Sequence, residues 1–100
     1  MDPAISEMNI SDVVVSTAGR DQGELYYVIA QDAVYLELAN GKDRTLEHPK
    51  RKKRKHAQKV LRSETRVADK LRHGDKVLNG ELRRDLAFLA REMQGSDLGG

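Results

Sequence analysis

Six consecutive cations, Lys50, Arg51, Lys52, Lys53, Arg54 and Lys55, stand at the middle of this 100-residue chain and limit what it can fold into. Such a run repels itself and offers nothing to an apolar core, so it is expected to stay extended or frayed until an anionic partner arrives. Any core must then come from the residues on either side. The charge is divided to match. Residues 1–41 carry seven carboxylates against one cation, Arg20; residues 42–62 carry ten cations against Asp43 and Glu47; residues 63–100 carry seven of each sign. The net charge of +2 thus conceals an acidic, a basic and a neutral segment, and that asymmetry says more about partners than the total does.

Between residues 12 and 46 the apolar side chains recur with period two: Val13 and Val15, then Leu25, Tyr27 and Ile29, then Val34, Leu36 and Leu38. This is the signature of short strands. Turn residues separate the runs. Gly19 and Gly23 frame the first turn, Gln31-Asp32 makes the second, and Asn40-Gly41 precedes a further strand over residues 42–46. Asn-Gly suits a tight hairpin because a type I′ turn needs φ > 0 at both central positions. Strands this short and closely linked predict a small SH3-like β-barrel over residues 11–48, burying Val13, Val15, Ile29, Val34, Leu36 and Leu38. In the second strand Tyr26 and Val28 are an alternative inward set. Residues 1–10 are expected to be disordered.

Pro49 closes the strand region, because it fixes its own φ and holds His48 extended. The basic segment occupies residues 49–62. From about Ala57 the period lengthens, with Ala57, Val60, Leu61, Val67, Ala68 and Leu71 near one helical face and Gly74 placed to end it; Ser63 could instead cap a shorter helix from Glu64. Asn79 is placed to cap a second helix carrying Leu82, Leu86, Leu89 and Met93 on one stripe, ended by Gly95. The expected fold class is therefore mainly β with an α extension: barrel, basic segment, a helical hairpin over residues 63–94 and a flexible tail over 95–100.

The inventory offers little to an enzyme. There is no cysteine, so disulfides, thiolate metal sites and a cysteine nucleophile are excluded and the cytoplasm is the default compartment. His48, His56 and His73 form no i, i+4 pair, Ser6, Ser11, Ser16, Ser63 and Ser96 lie outside any GxSxG elbow, and the carboxylates show no acid/base constellation. The GRDQG stretch at residues 19–23 lacks the GK[ST] ending of a P-loop. No catalytic activity, metal, cofactor or small-molecule substrate is expected. Residues 1–10 carry Asp2 and Glu7 without a Lys or Arg, and no run approaches the ~20 apolar residues of a membrane span, so neither a signal peptide nor a membrane partner is expected.

Cations at this density point to nucleic acid. Contacts with ~6 phosphates would give log K against log salt a slope of roughly −4 on single strands, an affinity without sequence choice. The candidate RNA contacts are Lys50, Arg51, Lys52, Lys53, Arg54, Lys55, His56 and Lys59, with Arg20, Lys42 and Arg44 supplying orientation from the barrel. Tyr26, Tyr27 and Tyr35 are the stacking candidates, at least one of them expected in the core. Two other readings exist. Residues 49–55 would also pass as a nuclear-import signal, and Gly99-Gly100 is similar to the C-terminal diglycine of sulfur carriers.

The stretch Asp12-Val13-Val14-Val15-Ser16-Thr17-Ala18-Gly19-Arg20-Asp21-Gln22-Gly23 with Tyr27-Val28-Ile29 resembles a KOW motif. Asn40-Gly41-Lys42, Arg44, His48-Pro49-Lys50 and the basic stretch to His56 extend the likeness over roughly residues 11–93. It resembles in particular the small bacterial KOW-domain RNA-binding proteins akin to KOW-bearing large-subunit ribosomal proteins of archaea and eukaryotes. The resemblance implies an SH3-like barrel binding RNA, ribosomal RNA above all, in the cytoplasm, at the ribosome or during its assembly, with ribosomal proteins as possible neighbours. It implies that Arg20 is the loop cation facing phosphate, and that Gly23 is the motif glycine where backbone passes close to a neighbour. The alternative within the resemblance is a KOW-type transcription or protein-interaction module.

Overall fold

The computed structural model describes residues 7–98. Five strands, β1 (Asp12–Ser16), β2 (Leu25–Gln31), β3 (Tyr35–Ala39), β4 (Lys50–Lys53) and β5 (Ala57–Arg62), precede two helices, α1 (Arg66–His73) and α2 (Asn79–Leu98). A single 3₁₀ turn, Arg54–His56, links β4 to β5. All pairings are antiparallel, in the order β4-β3-β2-β1-β5. β4 and β5 form the two ends of this sheet, so the expected barrel is not closed.

The two inward sets expected for β2 are both used, because both faces of the sheet are covered. Val14, Tyr26, Val28, Leu36, Leu38 and Ala57 form one buried cluster together with Met8. Residues from β3 and β5 meet in it, so the sheet coils over its own concave face. Val13, Tyr27 and Ala39 face the other way and pack against Val67 and Ala68 of α1 and Leu82, Leu86 and Leu89 of α2. The helical pair thus covers the convex face. Of the six residues expected inside, Val13, Leu36 and Leu38 are fully buried, Val15 and Ile29 half-buried, and Val34 is 53% exposed in the turn after β2. Met8 corrects the expectation of a disordered start, being 1% exposed; residues 1–6 lie outside the described range.

The basic run is the largest correction. Residues 50–53 are strand β4, paired with β3 from Tyr35↔Lys53 to Leu38↔Lys50. Pro49 therefore precedes a strand and does not close the strand region. Backbone hydrogen bonding to β3 needs no particular side chain, and period-two alternation lets only Lys50 and Lys52 turn inward, where a carboxylate receives them. Residues 42–46, expected as a strand, are a loop instead: Asn40 accepts the backbone N–H groups of Lys42 and Arg44 through Oδ1, closing an Asx-type turn.

Ala57–Arg62 is a strand where the spacing predicts a helix. Six residues carrying Ala57, Val60 and Leu61 fit either period, and pairing with β1 decides. A register shift between Val13 and Val14 leaves Val60 unpaired, which turns Ala57 to the concave cluster and Leu61 to the convex one. The first helix starts only after Thr65, whose hydroxyl accepts from Ala68 N at 3.2 Å, so neither a start at Ala57 nor a Ser63 cap holds. Gly74 does end it, at φ +72, with Asp75 N bonded to Lys70 O and Gly74 N to Leu71 O in a Schellman arrangement.

Leu78, rather than Asn79, caps α2. Its carbonyl accepts Leu82 N and its N–H donates to Glu81 Oε2 at 2.9 Å. Asn79 is used sideways, accepting Leu46 N and donating to Glu47 Oε1, both at 2.8 Å, which ties the 40–49 loop to the helix. Gly41 makes the same contact close: a Cβ there would lie 2.2 Å from Asn79 O. α2 continues past Gly95 to Leu98, so the expected tail is helical that far, and Gly99-Gly100 lie outside the described residues. Tyr27 locks helix to sheet, its hydroxyl donating to Asp85 Oδ2 and sharing a hydrogen bond of 2.8 Å with Ser63 Oγ. Burial, then the Asp85 contact, pushes its pKa up to about 12. No helix among the described residues is long and apolar enough to cross a membrane.

Candidate nucleic-acid interface

The β1–β2 connection, residues 17–24, is built around one carboxylate. Gly19 and Gly23 take φ of +88 and +93, which lets the loop turn Asp21 back under itself. Asp21 Oδ1 accepts from Lys52 Nζ at 2.8 Å and Ser16 Oγ at 2.9 Å, while Oδ2 accepts from Tyr26 Oη at 3.0 Å and faces Lys50 Nζ at 3.2 Å. Lys52 Nζ also donates to Ala18 O and Ser16 Oγ, both at 2.7 Å. Burial alone would raise the Asp21 pKa, yet the donors Lys52, Ser16, Lys50 and Tyr26 together hold it far below the usual carboxylate range. Tyr26 is shifted the opposite way, upward, by burial and by the Asp21 charge it touches.

This network fixes the backbone that presents Arg20. Arg20 then lies with Lys42, Arg44 and Lys50 around a cleft of about 430 Å³, opened between the 17–24 loop and the 40–44 turn. Three carboxylates share that cleft. Asp21 is matched by Lys50 and Lys52, and Asp43 is engaged by the Asn40 amide at 2.8 Å, the first cause of its lowered pKa; Glu24 is exposed. Arg20, Lys42 and Arg44 enter no salt bridge among the described residues, so their charge is directed to solvent. Lys42 also borders a second recess of about 430 Å³, whose far wall is Arg83, Leu86, Ala87 and Ala90 of α2. Arg83 has no signal in the sequence: only the burial of Leu82 and Leu86 turns it this way.

The remaining candidates separate by strand parity. Lys52 is 8% exposed and is an interior group, which removes it from any binding surface. Lys50 is half-buried on the cleft side, whereas Arg51 and Lys53 point out from the opposite face. Arg51 lies 4.0 Å over the Tyr35 ring and 3.8 Å from Asp32 Oδ2. Arg54 donates to Asp32 O at 2.8 Å and to the Gln31 side chain, bracing the β2–β3 turn. Lys55 is exposed, His56 is half-buried and accepts Thr17 N through its carbonyl at 2.9 Å, and Lys59 pairs with the buried Asp12 at 3.4 Å. Tyr26 and Tyr27 are core residues and cannot stack on a base; Tyr35 is half-exposed.

Gly23 departs from the role implied by the resemblance. A Cβ there would meet nothing within 4 Å, so its glycine serves the positive φ, and the close approach belongs to Gly41. No group of histidines and carboxylates among the described residues has the arrangement of a metal site. Compared with known proteins, the sequence matches no family model and no curated protein.

Proposed function

We propose that this chain is a non-catalytic RNA-binding protein of the KOW type, acting on ribosomal RNA at the ribosome or during its assembly in the cytoplasm. The observation that carries the reading is the cleft itself: Arg20, Lys42 and Arg44 come from two separate loops, converge on one opening and make no ion pair among the described residues. The Asp21 network fixes the loop backbone that carries Arg20 and Asn40 fixes the turn that carries Lys42 and Arg44, so the backbone needs no ordering on meeting phosphate. The strand order β4-β3-β2-β1-β5, with a 3₁₀ turn between β4 and β5, supports an SH3-like architecture for the sheet. Lys53, on the face of β4 opposite the cleft, and Lys55, in the turn that follows, are both exposed and add phosphate contacts that carry no sequence information.

The competing reading, a protein-interaction module, is favoured by Phe88, a large apolar side chain 46% exposed on α2. A tagged copy sedimented through a sucrose gradient of its own cell lysate decides between them. Comigration with a ribosomal subunit, abolished by high salt or by ribonuclease, is expected; migration at the top of the gradient in every condition overturns the RNA reading.

A further inference from the structure

β3 and β4 assemble a four-residue patch on the convex face of the sheet. Tyr35 lies opposite Lys53 and Glu37 opposite Arg51, so all four side chains share one face. Arg51 crosses the diagonal and lays its guanidinium 4.0 Å from the Tyr35 centroid. At the Ala39 and Tyr27 end this face is covered by the helices, but toward Tyr35 it is bare. A register shift between Val28 and Ala30 places Ala30 opposite Glu37, and its small side chain leaves space where a larger one would fill it. The result is a recess of about 200 Å³, lined by Ala30, Gln31, Asp32, Tyr35, Glu37 and Arg51. That is below the roughly 300–1,000 Å³ of sites for drug-sized ligands, and is suited to one planar ring.

Its polar groups are not equally available. Asp32 Oδ1 already accepts the N–H groups of Val34 and Tyr35 at 2.8 and 2.7 Å, and its Oδ2 faces Arg51. The Gln31 amide is held by Asn9 and Arg54. Glu37 is exposed, and its carboxylate makes no hydrogen bond or ion pair among the described residues. A free carboxylate weakens a surface that binds a polyanion unless it accepts hydrogen bonds from the ligand. Two carboxylate oxygens match two parallel donors, and among the bases the guanine Watson–Crick edge supplies them, N1–H and N2–H side by side. Adenine and cytosine set a ring acceptor beside their amino group, and uracil flanks its one N–H with carbonyls.

We propose that this recess is a subsite for one unpaired guanine, an assignment that rests on the RNA-binding reading. The base stacks on the outer face of the Arg51 guanidinium, which Tyr35 holds flat, and presents N1–H and N2–H to Glu37. Lys53 meets the adjoining phosphate.

The test uses the full chain and labelled single-stranded RNA nonamers of uridine with guanine, inosine, adenine, cytosine or uridine at the centre, titrated by fluorescence anisotropy. The guanine nonamer is expected to bind about tenfold more tightly than the uridine one, with inosine, which lacks N2–H, in between. Glu37→Gln is expected to weaken the guanine nonamer while tightening the uridine one, since it removes a hydrogen-bonding carboxylate and a negative charge together. A purely electrostatic Glu37 tightens both in parallel, which overturns the proposal. Equal wild-type affinity for all five nonamers also overturns it, and leaves the RNA-binding reading standing if ribosomal RNA is bound. Absence of binding to the nonamers and to ribosomal RNA alike overturns both.

Discussion

Lys52 Nζ lies 2.8 Å from Asp21 Oδ1, with both side chains largely withdrawn from water at 7% and 13% exposure. A cation from the middle of the basic run is thus the interior anchor of the loop that carries Arg20. Lys50 reaches the other oxygen of the same carboxylate, so β4 holds the 17–24 loop at two points. No buried side-chain nitrogen or oxygen among the described residues is left without a partner.

Removing one member of such a pair leaves the other buried without its counter-charge. Lys52→Met is expected to lower stability by about 3 kcal/mol in urea denaturation, while the double variant Asp21→Asn/Lys52→Met loses clearly less. A Lys52→Met chain as stable as wild type, with RNA affinity lost, would instead return Lys52 to the binding surface.

The same carboxylate predicts an acid transition. Its pKa is depressed in the folded chain, so its contribution is complete above the ordinary carboxylate range and is lost as pH falls below about 4. Asp32, Asp43 and Glu47 are lowered as well, yet they stand in solvent, where screening leaves such interactions little weight; Glu81, lowered by its pair with Lys70, is half-buried and adds a smaller share. Asp21→Asn should therefore flatten most of the acid limb of stability against pH. An unchanged limb in that variant would place the acid sensitivity elsewhere.

Gly41 and Gly23 separate two reasons for glycine. Gly41→Ala combines a positive φ with a Cβ forced against the Asn79 carbonyl, and is expected to cost upward of about 3 kcal/mol. Gly23→Ala meets open space and costs only the backbone strain, about 1–2 kcal/mol. Thermal unfolding of the two variants side by side gives the order; equal losses would remove the packing argument for Gly41.

The cleft predicts a salt dependence. Replacing Arg20, Lys42 and Arg44 together by Gln should flatten the slope of log K against log salt by about 2 on single-stranded RNA, three contacts at ~0.7 each, with the melting temperature retained. Lys53→Gln/Lys55→Gln should weaken all RNAs alike. A slope unmoved by the triple variant would show that the three cations do not meet phosphate.

Much of the β half was legible because its signals are local. Val13, Leu36 and Leu38 mark strand faces by alternation, Gly19, Gly23 and Gln31-Asp32 mark turns, and Gly74 marks a helix end, since each depends on the conformation of a few adjacent residues. The same local reading failed at residues 50–62. A strand of four cations is written nowhere in β propensity, and Ala57, Val60 and Leu61 fit a helix as well as a bulged strand.

The candidate site divides on the same line. The order of charges along the chain placed ten of the eighteen cations within residues 42–62, and the turns between expected strands singled out Arg20, Lys42 and Arg44. Which cations are available was decided by tertiary pairing: β3 gave β4 a register, the register set parity, and parity sent Lys52 to Asp21 and Arg51 to Tyr35. The sequence by itself determined how much positive charge the protein carries and roughly where along the chain. Only the tertiary structure decided which of those charges face water, because a strand takes its partner from residues distant in the chain and its side chains have just two directions in which to point.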